Sequence, residues 1–200
     1  MYDNYFYEWS KEEIISRING GVHVMAHEGH ADYDYNMKLE ISDIDALTNT
    51  NPFFAYSTGC YSGGFNDPAG VDCMAEQFTV KTSHGAFAAI MNGAAGWGAR
   101  WTTDSASQRF IRQFWDAVFG ENITIISKAN HDSKEDNIWR IDQKYMRYVF
   151  YELNLFGDPA VQFKYLDSSL VKIKNQGYQS SQHSTVPLFF RILQRLSFAQ

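Results

Sequence analysis

Cysteine, basic charge and long apolar runs are all scarce in this 200-residue chain, and each shortage narrows what it can be. Two cysteines, Cys60 and Cys73, cannot build a disulfide-stapled scaffold, nor a four-ligand zinc site without histidine. No run of about eighteen apolar residues occurs, so no membrane-spanning helix is predicted. The 17 Lys and Arg are outnumbered by 23 Asp and Glu, giving a net charge of −6. With no Lys/Arg run, that balance lacks the electrostatic footprint of a nucleic-acid binder. The opening MYDNYFYEWSKEE has neither a basic start nor an apolar stretch, so no signal peptide is visible. What the chain does have is apolar and aromatic weight, 44% and 16% of residues, enough for a sizeable core in one domain, or one domain plus a tail.

Titratable residues are densest in HVMAHEGHA (23–31), which holds three histidines and a glutamate. It comes close to the zinc-peptidase pattern H-E-x-x-H, which needs histidines at i and i+4 on one helical face with the glutamate beside the bound water. His27 and His30 are one position too close for that, and position 31 is Ala. His23 and His27 have the right separation, but VHVMAH (22–27) reads as a strand rather than a helix.

The rest of the chain alternates strands and helices. Ser10 and Glu13 form a capping box for a short helix carrying Ile14, Ile15 and Ile18, which Gly20-Gly21 end. VHVMAH is expected to be a buried strand, followed by the polar, aromatic loop GHADYDYN; Ser42 then caps a short helix with Ile44 and Leu47. PFFAYST (52–58) is the next strand, leading to Gly59-Cys60 and the turn-rich loop YSGGFNDPAG. Asp72 is expected to cap the helix CMAEQFTVKT, and GAFAAIMNGAAG (85–96) begins as a third buried strand. Phe110, Phe114, Trp115 and Phe119 mark an amphipathic helix at about 104–119. Segments 122–132 and 142–154 also read as helical, and a last strand is expected after the turn Gly157-Asp158-Pro159.

This order predicts an α/β fold with a mainly parallel sheet, whose functional groups gather at the carboxyl ends of the strands. His30 stands just past one strand and Cys60 just past the next. If the strands are neighbours, an imidazole can take the thiol proton and the thiolate can attack a carbonyl carbon. Gly29 and Ala31 flank His30, and Gly59, Gly63 and Gly64 surround Cys60, so a substrate backbone can come close. The N–H groups of Ala31 and Cys60 are the natural donors to the oxyanion.

These residues resemble the gingipain-type cysteine peptidases of the caspase-like clan, in which one strand leads into a Gly-His-Gly step and the following strand into Ala-Cys. EGHA and FFAYSTGCYSGGF occupy those positions here. DCMAEQF is similar to the family's helix start after the nucleophile loop, GAFAAIMNGAAGWGARW to a strand and the Trp-bearing loop beyond it, and LNLFGDPAVQF to a recurrent Leu-x-Gly-Asp-Pro segment. The resemblance covers about residues 10–165 in order. It departs at Ala31, where the family has Gly, and at Gly59, where it has Ala.

The resemblance implies a caspase-like three-layer α/β/α fold lacking its N-terminal strands, because the family domain has further strands before the histidine strand, which here begins at 22. It implies a peptidase domain over 1–166 and a cysteine endopeptidase using Cys60 and His30. Substrate would lie against Gly29, Gly59 and Trp97, the last walling the pocket for the side chain before the scissile bond. No cofactor is required for the chemistry; a structural calcium is consistent with the family, and Gly157-Asp158-Pro159 could shape a cation site. The implied partners are a protein or peptide substrate and the missing N-terminal part of the domain; the implied location is extracellular or the cell surface.

Other residues have plainer readings. Cys73 is a structural core residue, His23 and His27 belong to the strand or support the site, His84 is a surface residue, and Glu28 is too close in sequence to His30 to orient it easily. Residues 167–200 change character: a polar linker precedes VPLFFRILQRLSFAQ, a short amphipathic helix that either docks on the domain or anchors it to a surface. Two rival functions remain. One is an inactive gingipain-like binding or adhesion module of a cell-surface protein; the other is a zinc hydrolase using His23, His27 or His30.

Overall fold

The computed structural model describes residues 9–164 except 68 and 100; the linker and C-terminal helix expected over 167–200 lie outside the described residues. Helix α1 (Lys11–Asn19) starts where expected, with Ser10 Oγ accepting the Glu13 N–H at 3.2 Å. It leads to strand β1 (Val24–His27). A small hairpin, β2 (Tyr35–Asn36) and β3 (Leu39–Glu40), precedes helix α2 (Ile41–Asp45). Strand β4 (Phe53–Ser57) is followed by helix α3 (Met74–Glu76), which widens into a π-helical turn at Gln77–Lys81 before strand β5 (Ala86–Asn92). Helices α4 (Ala106–Phe119), α5 (Ile126–Glu135) and α6 (Lys144–Glu152) and strand β6 (Leu153–Gly157) complete the described fold.

The main sheet has the order β1-β4-β5-β6; β1, β4 and β5 are parallel and β6 runs antiparallel to β5. Strand β4 is buried on both faces, as an apolar run in a covered parallel sheet should be. Its alternation builds two cores. Phe54 and Tyr56 join Ala88 and Ile90 of β5 against Phe110, Phe114 and Val118 of α4. Phe53 and Ala55 point the other way, with Ala89 and Met91, onto Ile14, Ile18, Ile44 and Phe78. The result is the three-layer α/β/α arrangement. The pairing slips between Phe53 and Phe54, which face Ala86 and Ala88; Phe87 is the extra residue and packs on the α4 side.

Several expectations need correction. Among the described residues, the last strand precedes the Gly157 turn rather than coming after it, and the described chain beyond that turn makes a single bridge, Ile125 to Gln162. Strand β1 lies at the end of the described sheet and alternates between exposed and half-buried residues instead of being buried. The N-cap of α3 is Cys73, whose N–H donates to Glu76 Oε2 at 2.9 Å, while Asp72 pairs with Lys81 at 2.9 Å. The N-cap of α2 is Glu40, not Ser42.

Candidate active site at the ends of β1 and β4

Register places the two candidate residues. In the parallel pair, His27 lies opposite Ser57, and the Thr58 N–H continues the ladder to the His27 carbonyl at 3.0 Å. His30 and Cys60 each stand three residues past that last pair. The chain segments around them touch: a Cβ on Gly59 would overlap the Ala31 Cβ and lie 3.2 Å from the Gly29 carbonyl oxygen. Glycine at 59 is therefore required by close approach between the histidine loop and the cysteine loop. His30 is exposed, and Cys60 is half-buried with a free thiol. Among the described residues, the N–H groups of Ala31 and Cys60 make no hydrogen bond.

The loop after β5 forms the opposite wall. The Cys60 thiol lies 3.7 Å from the Gly96 carbonyl oxygen, and the Tyr61 N–H donates to Ala94 O at 2.8 Å. Asn92, fully buried at the end of β5, donates Nδ2 to Thr58 O at 2.9 Å and to Gly59 O at 3.3 Å. Gly96 packs so closely on the Thr58 carbonyl that a Cβ there would overlap it. Tyr61 adopts φ 56°, a left-handed conformation that costs a non-glycine residue roughly 1–3 kcal/mol. Its ring stacks on Tyr33 at 5.1 Å, which holds this tight turn.

Trp97 is half-buried and stacks on Tyr145 of α6 at 4.0 Å between ring centroids. Its N–H donates to Ser107 Oγ at 2.9 Å, and the Ser107 N–H returns to Trp97 O at 3.2 Å, fixing the loop to the first turn of α4. The same turn holds the histidine loop, because Gln108 Nε2 donates to Glu28 Oε2 at 3.1 Å. Glu28 is thus engaged with α4. Partial burial there raises its carboxyl pKa.

Beneath the site, His27 Nδ1 lies 2.9 Å from Ser57 Oγ. Burial, and then the charge of His30, push the His27 pKa down to about 4. Cys73 is fully buried, and burial raises its thiol pKa to about 11, as befits a structural cysteine. His84 is half-buried with Nδ1 3.0 Å from Asn49 O, not a free surface residue. Among the described residues, His23, His27 and His30 do not converge as metal ligands; Asp116, Glu121 and Asp136 bring carboxylate oxygens within 4.8 Å of one another on a largely exposed surface, where acidic groups commonly cluster without an ion. Hard oxygen donors of that kind suit calcium rather than zinc, and Asp116 stands in the last turn of α4, at the opposite end of that helix from Ser107 and Gln108. In the Gly157-Asp158-Pro159 turn, Asp158 Oδ1 accepts the Ala160 N–H at 2.8 Å.

Sequence reasoning missed the supporting set of Ser57, Asn36, Asn92, Ser107, Gln108 and Tyr145. A buried asparagine or serine at the end of an otherwise apolar strand was the available signal for Asn92 and Ser57.

An α/β/α sheet that brings a histidine loop and a cysteine loop together at its carboxyl edge is an arrangement of the caspase-like kind. The family model for peptidase family C25 matches residues 2–164, and the chain belongs to that family. No curated protein sequence matches the chain. Among solved structures it is similar to the Arg-specific cysteine proteinase gingipain R, at 16% identity over 76% of this chain and TM-score 0.66. It is also similar to the complex of Porphyromonas gingivalis RgpB pro- and mature domains, at 17% identity over 76% of this chain and TM-score 0.62. A third, described as a protease, matches 74% of this chain at 23% identity and TM-score 0.56. The chain spans only 36%, 37% and 36% of those three structures, respectively. Among the described residues, no helix is long and apolar enough to cross a membrane.

Proposed function

We propose that this protein is a cysteine endopeptidase in which Cys60 is the nucleophile and His30 the general base and acid. The observation that carries the reading is the β1–β4 register, in which both residues stand three positions past the His27–Ser57 pair, with Gly59 against Ala31. The Cys60 thiol gives its proton to His30, and the thiolate attacks the peptide carbonyl. The N–H groups of Ala31 and Cys60, which have no other partner among the described residues, donate to the oxyanion. As the tetrahedral intermediate collapses, the C–N bond breaks and the leaving amine takes the proton from His30. Water then attacks the thioester, His30 accepts its proton, and the acid product leaves as the thiol reforms.

Gly29 and Gly59 leave room for the substrate backbone, and Trp97, backed by Tyr145, walls the adjacent side-chain pocket. The chemistry runs on thiol and imidazole alone; any calcium is structural. The substrate is a protein or peptide. The remainder of the domain is the further partner, and family membership argues for action outside the cell.

The test compares Cys60→Ala and Cys73→Ala in the intact protein, using peptide cleavage and labelling by a thiol-reactive peptidyl inhibitor. Cys60→Ala is expected to abolish both and Cys73→Ala to spare both. Failure of the intact protein to label at all would instead make the domain an inactive binding module.

A further inference from the structure

We infer that His27 is the positioning residue of this site: held by Ser57 in its Nδ1–H tautomer, it fixes the histidine loop against the cysteine loop. This rests on the peptidase reading above and adds to it the element that orients the dyad.

Ser57 Oγ is a three-way junction. It lies 2.9 Å from His27 Nδ1 and 3.2 Å from Asn36 Oδ1, and it accepts the Gly59 N–H at 3.1 Å. A hydroxyl has one proton to give and two lone pairs to receive with. Its proton goes to Asn36 Oδ1, a carbonyl oxygen that can only accept, and one lone pair takes the Gly59 N–H. The other lone pair is left for His27, so Nδ1 carries the ring proton and donates it, while Nε2 keeps its lone pair. One buried oxygen thereby joins the end of β1, the β2 hairpin and the residue before Cys60.

The other edge of the ring supports the histidine loop. A Cβ on Gly29 would come within 2.7 Å of His27 Nε2 and 3.3 Å of Cε1, so the bare nitrogen lies directly under the residue before His30. A side chain at 29 would displace either the ring or the loop. Among the ionisable groups around His27, His30 is the one whose charge acts on it. During turnover His30 becomes an imidazolium. A neutral ring with a lone pair beneath its loop tolerates that charge, whereas a second cation would oppose it. Glu28, the carboxylate adjacent to His27 in sequence, is committed to Gln108 on α4.

The experiment uses the full chain and three forms: wild type, His27→Phe, which keeps a ring but loses the donor, and His27→Asn, whose amide N–H₂ can reach Ser57. Nitrogen-15 NMR reads the imidazole tautomers and their titration, and hydrogen exchange reads the Gly59 amide. The wild-type His27 ring is expected to stay neutral with the proton on Nδ1 until about pH 4. In His27→Phe, Gly59 exchange should accelerate about tenfold or more, and kcat should fall roughly tenfold to a hundredfold with KM little changed, the penalty of a misplaced reacting group. His27→Asn should recover most of both losses. An Nε2–H tautomer, unchanged Gly59 exchange in His27→Phe, or an Asn form as impaired as the Phe form overturns the assignment. If the wild type neither cleaves peptide nor labels at Cys60, the peptidase reading fails, while tautomer and exchange still decide whether His27 holds the two loops.

Discussion

Between pH 6.5 and 4.5, two partly buried groups should pull the stability of this protein in opposite directions and nearly hide one another. Burial lowers the His27 pKa from 6.5 to about 4, so over this window the unfolded chain binds the extra proton. Stability from that group is present above pH 6.5 and is lost as the pH falls toward 4. With one pKa unit worth about 1.36 kcal/mol, the loss between pH 6.5 and 4.5 is about 2 kcal/mol. Glu152 does the reverse. Its Oε1 is buried without a hydrogen-bond partner, and burial raises its pKa from 4.5 to about 7. Its carboxyl is neutral and tolerated at low pH, and stability is lost as pH rises through about 7. Because Glu152 is only half-buried, solvent screening reduces its contribution to roughly 1–2 kcal/mol over the same window.

Urea unfolding at pH 6.5 and 4.5, at constant ionic strength, separates the two groups. The wild type should change by less than about 1 kcal/mol. Relative to the wild type, Glu152→Gln should unmask His27 and lose roughly 1–2 kcal/mol more on acidification, whereas His27→Asn should lose about 2 kcal/mol less. Parallel pH profiles for wild type and Glu152→Gln would refute the reasoning, since they would mean that Glu152 ionises alike in the folded and unfolded chain. Glu28, whose pKa is also raised by burial, is present in every form and drops out of the differences.

Packing sets two more outcomes. Phe114 is fully buried and meets Phe54, Tyr56 and Trp115, with ring centroids 5.6, 5.1 and 4.9 Å away, so Phe114→Ala should cost about 3–5 kcal/mol by urea unfolding. Gly59→Ala drives a methyl into Ala31, so its rate of thiol labelling should fall at least about tenfold with the far-UV spectrum unchanged. Gly98→Ala, with nothing within 4 Å of the added carbon, should match the wild type.

The parts legible in sequence were those with short-range signals. Ser10 followed by Glu13 announced α1, the run FFAYS announced a strand covered on both faces, and the phenylalanine spacing announced α4. The end of α6 was not legible, because Leu153 is both its C-cap and the first residue of β6, with no glycine or proline between them. Helical apolar spacing carried the reading straight across that junction. Asp72 looked like a cap because it is a good capping residue, but the chain places Cys73 there and gives Asp72 to Lys81. The site was legible only as two residues past two strands. Its supports were not: Ser57 stands 30 positions from His27 and 21 from Asn36, and only the folded sheet brings them to one oxygen.

Strand β1 bonds to β4 along one side, and Val24 on it is 39% exposed. Among the described residues, its outer side has no neighbouring strand in the sheet. Such a border is a template, able to recruit another extended segment by main-chain pairing. A segment that docked there would lengthen the sheet on the flank from which the His30 loop leaves. Handled in isolation, the same border invites self-association, and a charged substitution at Val24 is the simplest way to blunt it.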